Sequence, residues 1–106
     1  ENTKINWFDS IKTIDNKIKG LNPFPAAWTI IFNDGIEVFT KIYAVKKEEE
    51  EHQHTIGQII TSKKEIKVAV NNGFIIINEL KLAGKKRMNT KSLLNGFTFS
   101  ENSKML

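Results

Sequence analysis

Ala27-Trp28-Thr29-Ile30-Ile31-Phe32-Asn33-Asp34-Gly35-Ile36-Glu37-Val38-Phe39-Thr40-Lys41-Ile42-Tyr43-Ala44-Val45 reads as a strand, a turn and a second strand in succession. Trp28 to Phe32 is aromatic and β-branched at nearly every position, which suits a pleated, half-buried surface. Asn33-Asp34-Gly35 interrupts it with residues that tolerate positive φ, the requirement of a tight hairpin turn. Ile36 to Val45 then resumes the β pattern as a long second strand. This stretch therefore reads as a β-hairpin.

Working downstream, Lys46 to His54 contains no apolar residue and reads as a solvated loop or a protruding hairpin tip. Ile56 to Thr61 forms a third strand and Ile66 to Val70 a fourth, followed by a tight turn at Asn72-Gly73. Phe74 to Leu82 is the fifth strand, and its Ile75-Ile76-Ile77 run implies burial on both faces or packing against another element. Ala83 to Met88 is a basic loop. Asn89 can cap a two-turn helix through Leu93 and Leu94, stopped by Gly96. The final segment, 97–106, carries two Phe and little else to fix it.

Upstream, residues 1–9 read as an incoming linker or strand. Ser10 can cap a helix from Ile11 to Lys19, because its hydroxyl can accept a first-turn amide. Ile11, Ile14, Ile18 and Leu21 recur at helical spacing, with Lys12 and Lys19 pointing away from that stripe. Gly20 is placed to end the helix, and Asn22-Pro23-Phe24-Pro25 cannot continue it. The expected architecture is mainly β: a five-stranded OB-type barrel with a leading helix and a short closing helix, with residues 10–96 as its body. Closure is the economical way for five antiparallel strands to avoid exposed edges. An SH3-like barrel or a helix-backed open sheet also fits the pattern.

At 106 residues and 40% apolar content the chain can build one core and not two. No apolar run is long enough to span a membrane. There is no cysteine, which excludes disulfides and thiolate metal sites. The net charge is +4, but four of the twelve acids are Glu48 to Glu51. Elsewhere eight acids face sixteen bases, so the remaining surface is positive and suits a polyanion.

Catalytic signals are absent. His52 and His54, beside the glutamates, form a conceivable metal pair, but nothing supplies a fixed third ligand, and a solvated acidic loop with two incidental histidines is the plainer reading. No Ser-His-Asp pattern and no P-loop is present. No catalytic residue, metal or cofactor is therefore assigned to this chain.

The basic residues offer more. Lys81, Lys85, Lys86 and Arg87 gather at the end of the fifth strand and the loop after it, and suit a phosphate backbone because each cation can displace a condensed counterion. Lys12, Lys17 and Lys19 on the helix form a second group, with Lys4 nearby in the leading segment. The aromatic residues mostly follow apolar periodicity. Phe24 and Trp28 are expected to pack the helix onto the barrel, and the lack of an exposed aromatic row favours contact with a nucleic-acid backbone over base stacking.

Gly20-Leu21-Asn22-Pro23-Phe24-Pro25-Ala26-Ala27-Trp28-Thr29 resembles the Gly-Leu-Asn-Pro-aromatic-Pro-small-Ala-aromatic-Thr signature of the methionyl-tRNA formyltransferase C-terminal domain. Ile5-Asn6-Trp7 is similar to the Ile-Asp-Trp that opens this domain in the family. Leu80-Lys81-Leu82-Ala83-Gly84-Lys85-Lys86-Arg87-Met88 is similar to its Leu-Gln-Pro-Gly-Lys-Lys-Arg-Met-type segment. The three blocks fall in the family's order across nearly the whole chain.

The resemblance implies an OB-type barrel joined in cis to an N-terminal formyltransferase domain, which transfers a formyl group from 10-formyltetrahydrofolate to methionyl initiator tRNA. The family's catalytic Asn, His and Asp belong to that other domain and have no counterpart here. The role implied for this chain is binding and positioning tRNA, as a monomer in the cytoplasm with no membrane partner. Ala26 stands where Gly is frequent and Ala83 where Pro is common. The Glu48–Glu51 run would repel tRNA and is expected to point away from it. The same fold also follows formyltransferase domains acting on sugar nucleotides or folate, which leaves an auxiliary structural role as the alternative. A free-standing OB module is a third reading.

Overall fold

The computed structural model describes residues 3–106; the first two residues of the expected leading segment lie outside the described residues. Helix α1 spans Ile11–Leu21, capped by Ser10, whose Oγ accepts the Thr13 amide at 3.1 Å. Its Ile11, Ile14 and Ile18 are buried as the stripe requires. Gly20 does not end it. The helix runs one residue further and Asn22 serves as C-cap, because the Asn-Pro step forces extended backbone there. Ala26 takes the positive φ of 74° in this connection, at the position where the family resemblance places a frequent glycine.

The hairpin at the centre is β1, Ala27–Asn33, against β2, Ile36–Glu49, with Asp34 and Gly35 both at positive φ. The two-residue turn pairs Asn33 with Ile36 and thereby sets every partner above it, including Thr29 with Thr40 and Trp28 with Lys41. Inward residues Ala27, Thr29 and Ile31 alternate with half-buried Trp28, Ile30 and Phe32.

Strand β2 corrects the sequence expectation. Lys46 to Glu49 is not loop; it continues the strand by pairing with Ile76, Ile75, Phe74 and Gly73. Backbone pairing to β5 extends it although its own side chains give no β signal, and register shifts between Ile42 and Val45 break the alternation.

Strands β3 (Ile59–Thr61), β4 (Ile66–Val70) and β5 (Gly73–Leu82) follow as antiparallel neighbours. Ile75, Ile76 and Ile77 are all buried. The turn before β5 is Asn71-Asn72, with Asn72 at φ 62°, and Gly73 already belongs to the strand. Its glycine is required by close approach: a Cβ there would run into the Glu48 carbonyl oxygen and lie 2.9 Å from Ile11 Cδ1.

A short strand β6, Met88–Asn89, pairs with β5 and leads into α2, Thr90–Leu94. Asn89 caps it by accepting the Ser92 amide at 2.8 Å. Strand β7, Lys104–Met105, completes the set. The sheet order is β3-β4-β5-β2-β1-β7, with β6 off this path on β5, so among the described residues seven strands, two of them of two residues, stand where five were expected.

The final segment is well held, contrary to expectation. Asn33 donates to the Thr98 carbonyl and accepts the Ser100 amide, while β7 pairs with β1 at Ile31 and Phe32. Its other side reaches the start of β3: Gln58 bridges Lys104, and the Met105 amide donates to the Gly57 carbonyl at 2.7 Å. Gly57, at φ 92°, leaves no room for a Cβ, which would sit 2.7 Å from the Met105 oxygen. These bonds consume residues 57–58 and explain why β3 begins at Ile59, not Ile56. The barrel-like sheet is thus closed between β1 and β3 by residues 103–105.

The leading segment is equally integral. Ile5 and Trp7 are buried, Lys4 bridges Trp28 in parallel, and the Trp7 indole donates to Thr29 Oγ1 at 2.9 Å. Thr29 in turn donates to the Leu106 oxygen, so one buried hydroxyl joins both ends of the chain to β1. The core gathers these residues with α1, Val68, Val70, Leu80, Leu82 and Leu93. Among the described residues no helix is long and apolar enough to cross a membrane.

Candidate nucleic-acid interface

The hairpin register decides which charged residues meet. Trp28 faces Lys41 across β1 and β2, and Lys41 faces Lys81 across β2 and β5. Residues directly opposite in an antiparallel ladder share a sheet face. Since Ala27, Ile42, Leu80 and Leu82 point into the core, Trp28, Lys41 and Lys81 point outward together. Lys4 adds to this row through its bridge to Trp28, its ammonium 5.8 Å from the indole centroid. Lys17 donates to the Lys4 carbonyl at 2.7 Å and ties α1 to the row's edge.

Lys41 and Lys81 carry like charges at directly opposed positions, an arrangement that destabilises a sheet. Neither has an ion-pair partner among the described residues. Lys85 and Lys86 are exposed in the loop that begins beside Phe39, where the Ala83 amide donates to the Phe39 carbonyl at 2.9 Å. The result is one cationic surface of Lys4, Lys41, Lys81, Lys85 and Lys86.

Other basic residues singled out in the sequence are otherwise engaged. Arg87 does not extend from the loop as a third cation. Its Nε and Nη2 donate to the two Glu79 oxygens at 2.7 and 3.0 Å, and its guanidinium lies 3.9 Å from the Tyr43 ring centroid. This forked hydrogen bond holds the Glu79 carboxyl below its ordinary value and raises the guanidinium further. Lys19 pairs with buried Asp15 at 3.0 Å. Lys12 is exposed on α1, apart from the sheet row.

Sequence reasoning missed Lys41 as a member of this face, and it weighed Trp28 and Phe39 among candidate stacking aromatics but favoured packing for them. Trp28 does not pack α1 onto the barrel; it lies on the sheet face with its centroid 5.1 Å from that of Phe39. Phe24 is 85% exposed and packs nothing. The signal for Lys41 was present, because the two-residue turn fixes Trp28 opposite it.

The acidic run sits elsewhere. Glu48 and Glu49 pair with Phe74 and Gly73, seven and eight residues beyond Lys41 along β2, roughly 25 Å away for an extended strand. Glu48 accepts a salt bridge from Lys67 at 2.8 Å. His52 is not incidental: it stacks on Phe74 at 4.6 Å, and its Nδ1 accepts the His54 amide. That places the ring proton on Nε2, which reaches the Val70 and Gly73 carbonyls at 2.8 and 3.0 Å. Among the described residues no three metal-ligating side chains gather.

The formyl transferase C-terminal domain family matches residues 1–98. The chain belongs to that family. Relatives agree with this membership. It is 49% identical over 105 residues to a methionyl-tRNA formyltransferase of Flavobacterium johnsoniae, covering 99% of this chain and 33% of the relative. It is 46% identical to that of Flavobacterium psychrophilum, over 95% of this chain and 32% of the relative. The corresponding protein of Bacteroides thetaiotaomicron is 42% identical over 99% of this chain and 33% of its own length. The chain therefore spans about a third of the curated relatives it matches.

Proposed function

We propose that this formyl transferase C-terminal domain is the tRNA-holding part of a methionyl-tRNA formyltransferase. In this reading an OB-type barrel grips initiator tRNA by its backbone, while an N-terminal domain in cis transfers the formyl group from 10-formyltetrahydrofolate in the cytoplasm. No residue of this chain takes part in the transfer or holds the folate. The observation that carries the reading is the juxtaposition of Lys41 and Lys81, with Lys4 and the Lys85-Lys86 loop beside them. Opposed lysines without an acid between them repel each other, and a phosphodiester backbone relieves that repulsion while releasing counterions. The relatives' shared name supplies the kind of RNA.

A salt titration of tRNA binding tests it. The variant Lys41→Glu/Lys81→Glu is expected to bind about 100-fold more weakly at low salt, with a log–log salt slope shallower by about 2. Lys46→Glu/Lys47→Glu, in the distal half of β2, serves as control and leaves the slope within about one unit. If the unmodified chain binds no tRNA at low salt, the reading fails, and an auxiliary structural domain of a sugar-nucleotide or folate formyltransferase takes its place.

A further inference from the structure

Phe39 is 41% exposed on the outer face of β2, two residues from Lys41, and its ring leans on Trp28 at an interplanar angle of 32°. A large apolar ring on a solvated strand is ordinarily shielded by apolar neighbours. Here Ile30 opposite it and Trp28 beside it still leave the ring exposed, Glu37 and Lys41 lie two residues away on either side, and the Lys85-Lys86 loop begins at its carbonyl, with Lys4 on the far side of Trp28. Paired aromatic rings set among cations are what an unpaired nucleotide requires: a π-face for the base and ammonium groups for its flanking phosphates. The lysines gathered on this face, Lys4, Lys41 and Lys81, suit a nucleic acid better than an apolar protein surface.

We infer that the Trp28–Phe39 pair is a stacking platform for one unpaired nucleobase of the bound RNA. Phe39 takes the base and Trp28 holds Phe39 in position. The inference rests on the tRNA-holding role proposed above and adds a base contact to a backbone grip. The competing account is that the two rings are only a cross-strand pair that stabilises the hairpin.

The test compares Phe39→Leu and Phe39→Tyr with the unmodified chain, titrating initiator tRNA and a blunt-ended RNA duplex that has no unpaired base. Phe39→Leu is expected to lose about ten-fold in tRNA affinity with an unchanged salt slope and unchanged duplex binding, and Phe39→Tyr, which keeps the ring, retains tRNA binding. The platform is overturned if Phe39→Leu binds tRNA within two-fold of the unmodified chain, if tRNA and duplex weaken equally, or if the Leu and Tyr variants lose affinity alike. Binding to tRNA that persists while the platform fails leaves the tRNA-holding role intact. Absence of any RNA binding by the unmodified chain overturns both.

Discussion

The two halves of strand β2 have opposite characters. From Phe39 to Lys41 its outer face carries a half-exposed ring and a lysine opposed by another lysine. From Glu48 onward the fixed features are internally satisfied: Glu48 is bound by Lys67, His52 is seated on two carbonyls, and Gly73 lies hard against the β2 backbone, while Glu49 to Glu51 are exposed. The satisfied half adds to stability. The unsatisfied half holds charge in reserve for a partner. A single strand can serve both ends because the irregularity near Tyr43 and Ala44 switches the inward positions from Thr40 and Ile42 to Tyr43 and Val45 while the pairing with β5 resumes in the same register.

The largest effect that can sharpen this contrast is at the satisfied end. Gly73→Ala forces a Cβ against the Glu48 carbonyl, which belongs to backbone and cannot swing away. Denaturant unfolding is expected to show a loss of about 3 kcal/mol. Under conditions where the variant is folded, its tRNA salt slope stays that of the unmodified chain. A changed slope would join the two halves into one functional unit.

His52→Ala comes next. It removes the donor shared by the Val70 and Gly73 carbonyls and the ring stacked on Phe74. The expected loss is about 1–2 kcal/mol in the same measurement, again without effect on RNA affinity. An unaltered stability would return His52 to the solvated loop that the sequence suggested.

The smallest effect lies at the cationic end. Glu79→Gln frees Arg87 from its forked partner and adds a cation near Lys81; tRNA affinity is expected to rise about three-fold, with a slightly steeper salt slope. The ion pair also gives stability a pH dependence of defined sign. Because Arg87 lowers the Glu79 carboxyl from 4.5, the stabilisation is present above about pH 4.5 and disappears as the pH falls through the lower folded value. Thermal melts of the unmodified chain and Glu79→Gln should converge in acid and separate toward neutrality.

The local signals were readable in the sequence because they act within a few residues. Ser10 and Asn89 cap the helices they precede, and the Asp34-Gly35 turn fixes the hairpin register. What escaped depends on partners far along the chain. Lys46 to Glu49 form strand only because β5 lies beside them, so their own polarity argued for loop. Residues 98–105 hold through Asn33 and Gly57, whose local roles as turn and spacer concealed a tether and a close approach. In the site, Lys81, Lys85 and Lys86 stood out as a cluster, whereas Lys41 looked like one cation in a strand until its neighbour across the sheet was known. Arg87 looked free because Glu79, eight residues back, meets it only once β6 folds against β5.

The closure made by residues 103–105 also dictates when the barrel can exist during synthesis. Until those residues emerge, β1 and β3 each present a row of unpaired amides and carbonyls, flanked by Ile31 and Ile59. Such edges are templates for pairing with other chains. A chain lacking residues 103–105 is therefore exposed to self-association more than to simple loss of stability, and their arrival removes the hazard by supplying the stave that fills the gap.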